Sequence, residues 1–325
     1  MKRRLIELIQ GILFGMSCMI PGFSGGTMLL ILGIYEKFTE SVAKLSKRPL
    51  QALKELWVYI IGALCGLGLA AITIVACLNH FPIIMSGLFV GFVFGTIPVV
   101  IKNIKKTECT IGSIITFICF LAIALVMAFS EELNISINTN FEKASILGIV
   151  YIILISTLGS ATMIIPAASG MTILLIFGVY YPLMTTLGEI IKGLGHFDFQ
   201  PLFNKAWFIF PFIVGIFIGT IGIARVISKL LDKHASIIWY AILALLVVSP
   251  ITIFKDAYQK RVLPYPDLLA SIQSHLVLQI VLAVVFAIIG FLLLLYVDKM
   301  QDKWLKKKEI ESNHCLLYTS DAADD

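Results

Sequence analysis

Residues 21–36 read PGFSGGTMLLILGIYE, and residues 166–181 read PAASGMTILLIFGVYY. Aligned without a gap, the two stretches are identical at nine of sixteen positions, at an offset of 145 residues. Two apolar segments share leucines by accident, but they do not also share Pro, Ser, Gly, Thr and Tyr in register. The chain therefore contains an internal duplication, and a duplication constrains the interpretation of every other segment.

The similarity continues more weakly downstream of the two motifs. An interruption at 80–82 in the first half corresponds to one at 232–235 in the second. We therefore predict a first membrane repeat over residues 1–135 and a second over 142–310. The tail 315–325 resembles read-through from sequencing adapters, and we interpret it as non-native and exclude it from functional argument.

The composition predicts an integral membrane protein. Of the 325 residues, 59% are hydrophobic and 14% are charged, and the mean hydropathy is +0.96. A soluble domain is nearer half apolar and a quarter charged. The net charge of +5 fits a Lys and Arg excess on the cytoplasmic side and requires no nucleic acid. The six cysteines show no metal-binding spacing, so we expect neither a metal nor another cofactor.

Apolar runs long enough to cross the hydrocarbon recur along the chain. They occupy 5–35, 57–78, 84–101 and 111–130, and then 146–181, 207–228, 237–254 and 276–297, with breaks at 21–27 and 166–172. An open strand in lipid would leave backbone groups without hydrogen-bond partners, so we expect every run to be helical. The predicted fold class is an all-α integral membrane protein.

Basic residues indicate on which side of the membrane each connection lies. Lys2, Arg3 and Arg4 precede the first apolar run, and the loop 36–56 after it carries five further Lys or Arg residues. Because cytoplasmic connections are enriched in Lys and Arg, both ends of this run are predicted to be cytoplasmic. The run therefore enters the membrane and returns as a re-entrant hairpin.

If the first run is such a hairpin, counting the later crossings along the chain makes the two halves inverted. Each half then has one re-entrant hairpin and about three crossings. The odd number in each half inverts the halves, and the even total places both termini in the cytoplasm of a multi-pass cell-membrane protein. Inverted repeats are a known transporter plan. The basic connection 255–267 fits this topology poorly, because it falls outside. Four crossings per half with parallel repeats remain open, because 146–165 alone is long enough to span.

The motif itself predicts a helix that stops and restarts at membrane depth. Pro21 ends a helix, and the glycines after it adopt backbone angles closed to other residues. Ser24 or Thr27 caps the helix that restarts near Met28, and its free N–H groups attract anions, phosphate in particular. A single kink of this kind is common in membrane helices, but paired interrupted segments point to a transport site.

These arguments select the candidate site residues. The predicted substrate-binding residues are Pro21, Gly22, Ser24, Gly25, Gly26 and Thr27 in the first copy, Pro166, Ser169, Gly170 and Thr172 in the second, and Arg225. Arg225 is either a phosphate partner or a side chain that extends to the interface. The gating or coupling candidates are Glu36, Glu189 and Lys192, for which a solvated loop charge is the alternative. Tyr35 and Tyr180 are expected to end the short half-helices as interfacial anchors.

The two motif copies resemble the signature of the polyprenyl-phosphate transporter family, the undecaprenyl-phosphate translocases. The resemblance covers roughly residues 5–300, and the second copy departs from the usual pattern with Ala167 where glycine is expected. It implies a flippase that returns a polyprenyl-phosphate carrier to the cytoplasmic leaflet for cell-envelope synthesis. Its implied partners are that lipid, other membrane lipids and a coupling ion, either a proton or sodium.

Two other functions compete with this interpretation. One is a transporter of another small inorganic or organic anion, because the sequence does not distinguish a lipid from a soluble substrate. The other is a membrane enzyme acting on lipid phosphates. The sequence carries neither paired acidic motifs for a metal-bound diphosphate nor an Arg and His phosphatase constellation, and the five histidines are scattered. We therefore expect the protein not to be an enzyme.

Overall fold

Every regular element in the described part of the chain is helical. The computed structural model describes residues 2–21, 25–44, 48–129, 144–162 and 170–321. The first half contains α1 (Lys2–Cys18), α2 (Gly25–Ile31), α3 (Tyr35–Lys44), α4 (Pro49–His80), α5 (Pro82–Ile104) and α6 (Ile111–Ala128). The second contains α7 (Ile146–Thr162), α8 (Gly170–Ile176), α9 (Tyr180–Gly195), α10 (Gln200–Asn204), α11 (Ala206–Phe217), α12 (Ala224–Ala257), α13 (Pro266–Ser274) and α14 (Leu276–Asp321), with π-helical turns at Ile218–Ile223 and Tyr258–Val262.

The prediction of a multi-pass membrane protein is confirmed. Among the described residues, five helical segments are long and apolar enough to cross a membrane, and six if the bent pair of α8 and α9 counts as one span. The five segments are Leu50–His80, Pro82–Ile104, Ile111–Ala128, Lys233–Ala257 and Leu276–Met300. The predicted run 207–228 is instead divided among α11, the first π-helical turn and the beginning of α12.

The duplication seen in the sequence recurs in the backbone. Gly33 follows α2 with φ of 68°, and Gly178, 145 residues later, follows α8 with φ of 70°. Only glycine adopts this left-handed conformation without strain. In each copy the amide after that glycine donates to the carbonyl five residues earlier, at 3.0 Å in the first and 2.8 Å in the second. Both short helices therefore end in the same capped turn.

This turn corrects the expected role of the two tyrosines. Tyr35 and Tyr180 do not end the short helices; they begin α3 and α9. The short helices stop at Ile31 and Ile176, because the left-handed glycine follows. Tyr180 is completely buried, so it is not an interfacial anchor.

The predicted interruptions at 80–82 and 232–235 are both backbone breaks. Phe81 separates α4 from α5 with φ −135° and ψ 54°. His234 kinks α12 with nearly the same angles, φ −139° and ψ 44°. In the predicted repeat, the part of α12 after His234 would correspond to α5, and α14 to α6.

Each broken helix doubles back on itself. In the first half, the Gln10 side chain donates to the Leu32 carbonyl at 3.1 Å. In the second, the Tyr151 hydroxyl donates to the Phe177 carbonyl at 2.8 Å. Both bonds join the end of a short helix to the helix that preceded the break. The chain therefore returns, after each break, toward the side from which it came.

Small residues let the entering helix of the first half lie directly against the next long helix. Gly11 of α1 faces Gly62 of α4, Gly15 faces Ala63, and Gly66 faces Ile12. A Cβ built on Gly66 would lie 2.9 Å from the carbonyl carbon of Ile12, so the backbones are in contact. Spacing of this kind allows close approach of helices in a membrane, where packing rather than water exclusion drives association.

In the second half, serines occupy the positions of the α1 glycines at a similar helix crossing. Ser156 and Ser160 of α7 lie 145 residues after Gly11 and Gly15, and they face Gly215 and Gly219. The interface also contains a hydrogen bond between helices, from the Thr157 hydroxyl to the Gly215 carbonyl, at 3.1 Å. The duplication therefore extends to how the helices pack.

The two halves are joined by exchanged helix pairs. In the first pair, Gly87 and Gly91 of α5 lie against Ala283 and Ala287 of α14, so these helices run in the same direction. In the equivalent pair, α6 packs on α12, with Ser113 and Ser236 sharing a 2.6 Å hydrogen bond. The last helix of each half thus packs against a middle helix of the other half: α14 packs on α5, and α6 packs on α12.

Candidate functional site

The first break places glycine and threonine in the interior of the protein. α1 ends at Cys18, Pro21 is buried, and α2 begins at Gly25, three residues before the predicted restart. A Cβ on Gly25 would lie 2.7 Å from the Cys18 sulfur, so no larger residue fits without displacement. Thr27, in the first turn of α2, is only 6% exposed. Gly22 and Ser24 lie outside the described residues.

The second break has the same design. α8 begins at Gly170, and Thr172 in its first turn is 4% exposed. A Cβ on Gly159 would lie 3.2 Å from the Gly170 carbonyl oxygen, so α7 packs closely on the beginning of α8. Pro166 and Ser169 lie outside the described residues. Both copies therefore start a short helix with a buried threonine in its first turn.

A tyrosine that sequence reasoning placed at the interface connects the two breaks. The Tyr180 hydroxyl donates to the Met19 carbonyl at 3.1 Å, across 161 residues of sequence. Its ring packs edge-on against Phe89 at 6.0 Å between centroids. Met19, just before the first break, and Met171, at the start of α8, belong to the same buried core. The structure thus brings the two broken segments into one core.

A buried carboxylate near the first hairpin was also missed. Glu7 of α1 is 7% exposed, and it lies 3.1 Å from the Lys37 ammonium and 3.5 Å from Arg4. Lys37 also contacts the Tyr59 hydroxyl at 3.2 Å, so one lysine ties α3 to both α1 and α4. Burial alone would lower the pKa of Lys37, but its hydrogen bonds to Tyr59 and Glu7 outweigh that effect and raise it. An acidic residue inside an apolar run was the available sequence signal.

This ion pair belongs to the first half alone. The positions 145 residues after Glu7 and Lys37 are Ile152 and Pro182, which carry no charge. The two hairpins therefore share a backbone design and differ in how the returning segment is held.

The remaining candidates are exposed or have undescribed side chains. Glu189 is exposed on α9 and pairs with Lys205 at 3.3 Å, and Lys192 is exposed on the same helix. An exposed ion pair of this kind contributes little to stability. Arg225 lies in α12 directly after the first π-helical turn, and Glu36 is the second residue of α3. The side chains of these last two residues are outside the described part.

The arrangement suits an uncharged polar site for an anion. Each short helix directs its first amides and its positive dipole end toward the break. Threonine hydroxyls add donors without introducing a buried charge, which would be costly in an apolar interior. Such a site can hold a phosphate group, and the described residues contain no group of three or more His, Cys, Asp or Glu side chains placed to hold a metal ion.

The chain is similar to a known protein family and to a curated protein. A family model described as VCA0040-like, undecaprenyl phosphate translocase-like, matches residues 14–265. A curated protein of Staphylococcus aureus (strain NCTC 8325 / PS 47), named polyprenyl-phosphate transporter, is 27% identical over 274 residues. The alignment covers 84% of this chain and 94% of that protein. No solved structure matches the chain.

Proposed function

The chain belongs to the undecaprenyl phosphate translocase-like family, and we propose that it is a flippase for a polyprenyl phosphate. It returns this lipid from the outer to the cytoplasmic leaflet of the cell membrane for cell-envelope synthesis. The observation that carries the proposal is the pair of broken helices that share one buried core, linked by the bond from Tyr180 to Met19. The name of the Staphylococcus aureus relative supports the same substrate class.

The headgroup, and not the tail, is the part of the lipid that is difficult to move across a membrane. An isoprenoid tail remains soluble in the bilayer throughout, whereas a phosphate has to be solvated at every depth. The first turns of α2 and α8, with Thr27 and Thr172, provide that solvation in our proposal. Gly22, Ser24, Pro166, Ser169 and Arg225 complete the proposed site. Alternating exposure of this site to the two leaflets would move the headgroup.

We also propose that the two halves are inverted, an arrangement that allows the site to be exposed alternately to the two leaflets. The doubled-back hairpins leave an odd number of crossings in each half. Phe254, near the end of α12, lines the same apolar groove as Ile83, Val90 and Phe94, which lie between the beginning and the middle of α5. That proximity supports an antiparallel arrangement of α5 and α12, which are equivalent helices. Equivalent helices run in opposite directions only when the repeats are inverted.

Reconstitution in liposomes tests the proposed function. The protein is expected to accelerate the movement of undecaprenyl phosphate between leaflets relative to protein-free vesicles, and a proton or sodium gradient is expected to increase that rate. Unchanged movement would contradict the proposal. Inorganic phosphate flux in the same vesicles would instead favour a small-anion transporter, and hydrolysis of a polyprenyl diphosphate would favour an enzyme.

Cysteine labelling tests the inverted topology. In a variant lacking the native cysteines, Lys44→Cys and His196→Cys are expected to react with an impermeant reagent from opposite sides of the membrane, because the two hairpins open to opposite faces. Glu132→Cys is expected to label from the side of His196→Cys. Parallel repeats would place Lys44→Cys and His196→Cys on the same side, and that result would overturn the inverted arrangement.

A further inference from the structure

An apolar groove runs along the boundary between the two halves. Its volume is about 560 Å³, and it lies among α5, α12 and α14. Val90 and Ala283 form its buried floor, and Phe94, Phe254 and Val284 form walls that are partly exposed. Every side chain that lines it is apolar, which excludes a headgroup as its occupant. The groove therefore suits a hydrocarbon chain.

The groove leads toward the first broken helix. Its lining residues on α14 extend from Ile280 to Phe291, about 17 Å at 1.5 Å per residue. Val90 in its floor follows Phe89, whose ring packs against Tyr180, and the Tyr180 hydroxyl donates to the Met19 carbonyl at the first break. The α14 helix also packs against α2, whose first turn is the proposed phosphate site. A lipid whose phosphate lies at the break would thus have its tail directed along this groove.

We infer that the groove among α5, α12 and α14 holds the first isoprene units of the polyprenyl tail, next to the phosphate. The inference rests on the proposed function and adds a tail-recognition site to it. Rigid walls of Ile, Val and Phe match a methyl-branched, unsaturated chain, and the groove is shorter than a long polyprenol, whose remainder lies in lipid. The floor is fixed, because Gly87 and Gly91 hold α5 against the backbone of α14 at Ala283 and Ala287.

Two neighbouring valines provide the test. Val284 lines the groove, whereas Val285 is similarly exposed on α14 but does not line it. Val284→Trp is expected to reduce undecaprenyl phosphate transport in liposomes by about tenfold, the effect of displacing two buried tail carbons. Val285→Trp is expected to retain the wild-type rate, and both variants to retain the wild-type melting temperature.

Photolabelling gives a second, direct readout. An undecaprenyl phosphate analogue with a diazirine close to the phosphate is expected to label residues of α5 and α14 that line the groove. Unlabelled undecaprenyl phosphate is expected to suppress this labelling more strongly than phosphatidic acid. Equal suppression by both lipids would show a general lipid groove and overturn the inference, as would equal transport by the two tryptophan variants. Failure of the wild-type protein to move undecaprenyl phosphate would instead contradict the proposed function.

Discussion

Gly66→Ala is expected to destabilise the folded protein by about 1–3 kcal/mol, the usual cost of overpacking a fitted interface. The added methyl group would lie 2.9 Å from the carbonyl carbon of Ile12, which belongs to the backbone of α1 and has no side-chain freedom to move away. The helices would have to separate, and the interface that positions the first broken helix would loosen. Thermal unfolding in detergent, followed by size-exclusion chromatography, measures the effect.

Gly68→Ala is the matched control on the same helix. A Cβ at this position would meet the Ile191 side chain at 3.6 Å, an ordinary contact distance. Alanine favours helix over glycine by up to about 1 kcal/mol, so this variant should be as stable as the wild type or slightly more so. Equal losses in both variants would show that the α1 and α4 crossing is not the tight interface described above.

Thr27→Val is expected to slow polyprenyl phosphate transport by about tenfold or more, without a matching loss of stability. Threonine and valine have similar shapes and similar helix propensities, so the substitution removes little except the hydroxyl group. A hydrogen bond to a charged group is worth about 1.5–3 kcal/mol, which sets the size of the expected effect. Initial transport rates in liposomes, with the melting temperature of each variant, provide the measurement.

Two further threonine variants test whether slower transport comes from the loss of a hydroxyl at the proposed phosphate site. Thr172→Val removes the equivalent hydroxyl of the second copy and is expected to slow transport as well. Thr73→Val is the control, because Thr73 is exposed on α4 and its hydroxyl bonds to Leu69 of its own helix. Wild-type rates for both Thr27→Val and Thr172→Val would exclude the first turns of the short helices as the phosphate site.

Much of the fold could be predicted because its signals are local. Hydropathy alone identified the five long apolar segments, since about 20 apolar residues in a row have few other uses. The interruptions at 80–82 and 232–235 were predicted from Pro82 and from a polar cluster in an apolar run, and both are backbone breaks. The exact helix boundaries were less predictable, because a left-handed glycine, and not a change in hydropathy, ends α2 and α8.

The site was only partly predictable, because part of it depends on contacts between residues that are distant in the sequence. Thr27 and Thr172 were selected from a repeated motif, and both are buried in the first turn of a short helix. Tyr180 was assigned to the interface, because an aromatic residue beside an apolar run is typical of that position. Its actual partner, Met19, lies in the other half of the chain.

The sequence by itself determined that this protein is a duplicated, helical membrane protein with a break in each half. These properties follow from composition, from residue identity at a fixed offset, and from the backbone limits of proline and glycine, and none of them requires a distant partner. Only the tertiary structure decided that Tyr180 reaches Met19, that Lys37 pairs with Glu7, and that α5, α12 and α14 enclose an apolar groove. Such contacts depend on how helices rotate and pack against one another, and an almost uniformly apolar helix carries little periodicity that would fix its rotation in advance.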